Sequence, residues 1–270
     1  MSERVRCTIG DGVADVRLNR PEKRNAIDLA MFNALIDTGE ALRDDRSLRA
    51  VVLSGAGRSF CAGLDLAAFG GQGGENGAGG GSFADGALAR RDGQIASVAQ
   101  RAVTVWSAVA APVIAAVHGH ALGGGLQLAL GADIRIVAPD ARLSVLEVRW
   151  GLIPDMTGTQ VLPGLVGLDV AKELTFTGRM VTGEEAVRLG LATRLSETPR
   201  EDALALAREI AAKSPSAVRA AKSLLDSAAQ MSIGEGLLAE QRAQRNLIGS
   251  ADQVEAMMAF IEGRAPRWSS

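Results

Sequence analysis

Residues 118–133 read HGHALGGGLQLALGAD. Three consecutive glycines, Gly123, Gly124 and Gly125, lead into Leu and Ala spaced for a short apolar helix. One polar side chain, Gln127, sits just inside it. Glycines at such a place let backbone N–H groups approach a ligand without side-chain obstruction. The flanking runs, APVIAAVHG (111–119) and ADIRIVA (132–138), are short and apolar and read as buried strands. The order is therefore strand, glycine turn, helix, strand. The first half of this pattern also occurs upstream, where the strand RAVVLSG (49–55) runs into the turn-rich GAGRSFCAGLDL (55–66). Two such units side by side would aim two loops at one place.

Working outward, VRCTIGDGVADVRLNR alternates around Gly10-Asp11-Gly12 and predicts a hairpin. Asp28 is placed to cap a helix to about Arg43, with Ile27 and Phe32 as its hydrophobic staple. Residues 70–93, including GGQGGENGAGGGS, are read as a flexible loop. A helix is expected from Gln100 to Ala110, ending before Pro112. ARLSV (141–145) and LATRLS (191–196) are short strands, and Thr182 with Glu185 forms a capping box for a helix over 183–189. From Pro199 to Glu262 the pattern is helical. This predicts an α/β core over 1–198 followed by a helical region over 199–270.

Several function classes fail on the residues. GAGRSF (55–60) puts Phe60 where a dinucleotide fingerprint needs glycine, and GHALGGG never becomes a P-loop. No G-x-S-x-G nucleophile elbow occurs. His118 and His120 are the only histidines and have no carboxylate cluster beside them, so no metal is expected. Cys61 reads as a small buried thiol rather than a nucleophile. A net charge of −2 gives no reason to expect nucleic acid. Two unpaired-looking cysteines and a polar start without an apolar leader point to a cytoplasmic protein. No Asp, Glu, Lys or Arg occurs from Ala102 to Ala132, but Pro112 and the glycines interrupt any membrane span, so no membrane is expected as a partner.

Four segments in register, NRPEKRNAID (19–28), GRSFCAGLDL (57–66), HGHALGGGLQLALGADIRI (118–136) and EVRWGLIPDMTGTQ (147–160), resemble the crotonase family of enoyl-CoA hydratases and isomerases. The resemblance covers nearly the whole chain, from the N-terminal hairpin to the FIEGRAPRW tail. It implies a spiral of ββα units with C-terminal helices that assemble a homotrimer or a dimer of trimers. It also implies an acyl-CoA thioester substrate, no metal, and no cofactor beyond the coenzyme A of the substrate. The oxyanion hole for the thioester carbonyl would be the N–H groups of Leu64 and Gly124. Two fixed donors aimed at an enolate oxygen are each worth about 2.7–4 kcal/mol in rate. Ala62, Leu66, Gly123, Gln127 and Pro154 would line the substrate site. Backbone groups around Arg24 and Ala26 would meet the coenzyme, with Arg24 or Lys23 at its phosphates. Asp65 reads as a cap or structural acceptor.

The sequence departs from the hydratase pattern at one place. Of two water-activating glutamates, one position holds Gln127 and only Glu147 remains. An amide can hydrogen-bond a water but cannot take its proton. Asp155, eight residues after Glu147, supplies another carboxylate. Two carboxyls in one apolar pocket would separate into an acid and a base, with Glu147 the principal base. The expected activity is enoyl-CoA hydration or isomerisation through an enolate. The alternatives are a CoA-ester hydrolase, dehalogenase or lyase with Asp155 as nucleophile, or a non-catalytic acyl-CoA binder. Asp155 could instead cap a helix starting near Thr157. Trp150 is placed near the acyl pocket or in the core.

Overall fold

A computed structural model describes residues 4–65, 83–90 and 93–268. Leu66 and most of the glycine-rich stretch within 70–93 lie outside the described residues. The chain opens with the expected hairpin, β1 (Val5–Gly10) and β2 (Val13–Leu18), antiparallel with Gly10 opposite Val13. Its turn residues Asp11 and Gly12 have φ of 52° and 77°. This double left-handed turn matches the twist of the strands it joins. Helix α1 (Leu29–Asp44) starts on Asp28, whose side chain accepts from the Met31 N–H, and both staple residues are fully buried.

Strands β3 (Ala50–Gly55), β4 (Val113–Val117), β6 (Ile134–Val137) and β9 (Arg194–Leu195) extend the hairpin into a six-stranded sheet of order β1-β2-β3-β4-β6-β9. All pairings after the hairpin are parallel. Strands β3 and β4 are buried along their whole length, which explains their unbroken apolar sequence. Their side chains alternate between two cores. Val51, Leu53, Val113, Ala115 and Val117 join the main core with α1 and the helix α3 (Val98–Ser107), which follows the short α2 (Phe83–Leu88). Ala50, Val52, Ile114 and Ala116 face α8 (Pro199–Ala211), which covers them with Ala203, Ala207 and Ala211 at i, i+4 spacing.

A second sheet is formed by β5 (His120–Leu122), which leads directly into the glycine triplet, β7 (Arg142–Ser144) and β8 (Val181–Thr182). The chain also forms α4 (Gly124–Leu130), α5 (Gly158–Val166), α6 (Leu168–Thr177), α7 (Gly183–Leu189), α9 (Pro215–Ala228), α10 (Ile233–Leu247) and α11 (Ala251–Glu262). No described helix is long and apolar enough to cross a membrane.

Three local expectations are corrected. The helix expected over 100–110 is α3, shifted toward the N-terminus, because Ser97 and Gln100 form a reciprocal capping box that fixes its start. The box at Thr182 is half made. Thr182 accepts from the Glu185 N–H, but the Glu185 carboxylate pairs with Arg179 instead. Strand β5 went unrecognised because three residues between glycines carry no readable alternation.

Candidate active site

Neighbouring parallel strands end on the same side, so the loops after β3 and β4 leave the sheet together. They are then zipped to each other. Phe60 N–H donates to His118 O (2.9 Å), Cys61 N–H to His120 O (2.9 Å) and Leu122 N–H to Cys61 O (3.1 Å). On its other flank the first loop pairs with Ile27, which donates to Gly63 O and accepts from the Asp65 N–H. In a parallel bridge the intervening residue turns its own N–H to the opposite side. Leu64 therefore directs its N–H away from Ile27, and Gly124, opening α4, has no residue behind it to accept. Neither amide bonds to another described residue. A Cβ on Gly63 would lie 2.6 Å from Leu122 O and 3.8 Å from Gly124 N, which measures how closely the loops approach.

Both amides border a cavity of about 220 Å³ lined by Ala62, Gly63, Leu64, Gly123, Gly124, Glu147 and Trp150 among others. Trp150 is therefore a pocket residue, not a core residue, and it is 56% exposed. Gly123 has φ 50° and ψ −121°, a conformation open to glycine, and a Cβ there would sit 3.2 Å from Glu147 Oε1. Glu147 begins a 3₁₀ turn, Glu147–Trp150, and is 93% withdrawn from solvent, at 7% exposure. Burial pushes its pKa up; the Gln127 hydrogen bond opposes this, and the field of Asp155 adds to the rise. Its Oε1 accepts from Gln127 Nε2 at 2.6 Å, while its buried Oε2 has no partner among the described residues.

Gln127 is fully buried and makes two further bonds. Its Oε1 accepts from Met156 N–H and Gly158 N–H, both at 2.8 Å. Asp155 does not share the cavity of Glu147. It faces an adjoining apolar cavity of about 120 Å³ with Phe32, Leu64, Phe83, Leu152 and Met156, joined to the first through Leu64 and Leu152. Burial raises its pKa as well. It makes no cap, since α5 starts after Thr157 without a side-chain cap bond. Pro154 is buried behind this segment, near Gly158.

The remaining expected residues divide by exposure. Asp65 is a structural acceptor, paired with Arg20 at 2.8 Å. Arg24 and Lys23 are exposed. The backbone of Arg24 and Ala26 is already used, with Ala62 N–H on Arg24 O and Arg20 Nη1 on Ala26 O, leaving only second lone pairs of the carbonyls. His118 and His120 bind the first loop through Gly57 O (2.9 Å) and Ser59 Oγ (3.0 Å). Cys61 is fully buried, with its pKa pushed up to about 12 by burial. Sequence reasoning missed Asn25. It is buried with φ 57°, and its Nδ2 donates to Ala56 O, Ser59 O and Phe60 O. Its only signal was an Asn in a polar loop, a type that tolerates this conformation.

The family model described as Enoyl-CoA hydratase/isomerase matches residues 8–270. This chain belongs to that family. It is 36% identical over 267 residues to the mouse protein named "Enoyl-CoA hydratase domain-containing protein 2, mitochondrial", covering 95% of this chain and 84% of that one. It is 35% identical over 264 residues to a probable enoyl-CoA hydratase of Mycobacterium bovis, covering 95% and 94%. Among solved structures, a probable enoyl-CoA hydratase/isomerase from Mycobacterium abscessus superposes with a TM-score of 0.85 at 35% identity, over 98% of each chain. The fold is thus the crotonase fold expected from the sequence. A larger cavity, about 690 Å³ between α9 and α10, carries none of the motif residues.

Proposed function

We propose that this member of the enoyl-CoA hydratase/isomerase family moves a double bond in an acyl-CoA thioester, with Glu147 as the single proton-transferring base. The observation that carries the reading is that Leu64 and Gly124, whose amides are unbonded, and Glu147, whose buried Oε2 has no partner among the described residues, line one cavity. A 3-enoyl thioester would place its carbonyl oxygen at the two N–H groups. Glu147 Oε2 would take a proton from C2, the electrons moving to the thioester oxygen as an enolate held by both donors. Return of the proton to C4 gives the 2-enoyl product. A raised pKa suits a carboxylate that must both accept and return a proton.

Hydration, which the relatives' names suggest, needs a second group to hold the water. Gln127 already commits its oxygen to Met156 and Gly158, so it is poorly placed to do so. Asp155 supports a second reading, as an acid reached across the adjoining cavity. Its raised pKa favours a proton donor over a nucleophile. Exposed apolar side chains on α10 and α11, among them Ile233, Phe260 and Ile261, support association of subunits as a homotrimer or dimer of trimers.

The test is product mass spectrometry with 2-enoyl- and 3-enoyl-CoA thioesters in deuterated water. The expected result is deuterium incorporation with a moved double bond and no added water, and no turnover by Glu147→Gln although it still binds thioester. Gain of water would replace isomerisation with hydration. Full turnover by Glu147→Gln would remove Glu147 from the mechanism.

A further inference from the structure

Gln127 uses both ends of its amide at the site, and its chemistry fixes which way it faces. Two backbone N–H groups, from Met156 and Gly158, converge on one end of the amide. Only the oxygen can accept from both, so that end is Oε1. The NH₂ is thereby turned to Glu147 Oε1 at 2.6 Å, where a carboxylate oxygen needs a donor. A flipped amide would set NH₂ against two N–H groups and oxygen against oxygen. Both ends are closely packed, since a Cβ on Gly158 would lie 2.8 Å from Gln127 Oε1 and one on Gly123 3.2 Å from Glu147 Oε1. Thr157, between the two donors, holds a left-handed φ of 76°, so the clamp also secures a turn that β-branched residues avoid.

We propose that Gln127 is a positioning residue: its clamped amide occupies Glu147 Oε1 and so leaves Oε2 of the same carboxylate, buried and without a partner among the described residues, as the proton-transferring oxygen. This rests on the reading of Glu147 as base. The donor also favours the charged form of a carboxylate that burial would otherwise neutralise. Among the described residues, Asp155 is the one charged group whose field bears on Glu147; α6, packed on the Glu147–Trp150 turn, contributes none.

The proposal separates two functions of one amide, and the variants follow that division. Gln127→Glu keeps an oxygen for the Met156 and Gly158 N–H groups and sets a second carboxyl against Glu147 Oε1. Gln127→Met removes both ends. The measurement is kcat and kcat/KM against pH for double-bond migration of a 3-enoyl-CoA, with melting temperature alongside. A hydrogen bond to a charged group is worth enough that its loss in Gln127→Met should move the base limb up by about one to two pH units, and the like charge in Gln127→Glu should raise it as well. For Gln127→Glu the melting temperature should stay near wild type below the limb, since both backbone bonds survive. An unmoved limb in Gln127→Met, with kcat within about threefold of wild type, overturns the positioning role. That outcome is distinguishable from failure of the base assignment, which shows separately as turnover by Glu147→Gln.

Discussion

Gly125→Ala tests whether the approach of the two loops sets the rate. A Cβ at Gly125 would lie 2.4 Å from Cys61 O, 2.8 Å from Cys61 Cβ and 2.9 Å from Cys61 C. Carbon–oxygen contacts settle at about 3.3 Å or more, so relief requires a shift of roughly 1 Å. The neighbours are not a flexible side-chain end. Cys61 belongs to the ladder with His120 and Leu122, and its side chain is fully buried. The shift must therefore part the segments that carry the Leu64 and Gly124 amides. Misplacement by about 1 Å costs about 10²-fold, near the lower end of losing one oxyanion donor. Overpacking should also cost about 1–3 kcal/mol of stability, at about 2–4 °C of melting temperature per kcal/mol. The assay is kcat for 3-enoyl-CoA migration beside thermal unfolding. Gly164→Ala is the control, because a Cβ there meets nothing within 4 Å and α5 should gain slightly from alanine. A Gly125→Ala protein that melts several degrees lower yet keeps kcat within about threefold of wild type would refute the link between loop approach and rate.

Two further outcomes follow from buried ionisable groups. Burial holds the folded pKa of Glu147 above its unfolded value, so its contribution is full below the unfolded pKa and lost as pH rises through the folded one. Glu147→Gln, which never ionises, should melt higher than wild type at about pH 8, with the gap closing near about pH 4; an equal gap at both, measured by calorimetry, would contradict this. For the thiols, alkylation of the native protein near neutral pH should label exposed Cys7 and spare Cys61, whose pKa of about 12 and burial deny it both thiolate and access. Peptide mapping showing Cys61 labelled first would show that the loop pair opens.

Much of the architecture was readable because it is encoded locally. The GDG turn, the Asp28 cap with its Ile27–Phe32 staple, and the unbroken apolar runs of β3 and β4 each satisfy a short-range rule. The start of α3 was misplaced although Ser97 and Gln100 carried a cap, since the preceding Gly-rich sequence hides such a signal. At the site, the two glycine loops stood out as residue types, and Glu147 stood out through the family resemblance. The division of Glu147 and Asp155 between two adjoining cavities did not, because eight residues of separation says nothing about which wall each one faces.

The sequence by itself determined that two buried strands would end in glycine loops and that the second would open a short apolar helix, which are matters of periodicity and glycine placement. That one carboxylate stands where a pair is usual came from the family resemblance. Only the tertiary structure decided what Gln127 does. Its oxygen is taken by amides 29 and 31 residues away and its nitrogen by a carboxylate 20 residues away. A side-chain amide has both a donor and an acceptor end, and which partner meets which end is set by how distant segments converge, a property no local pattern carries.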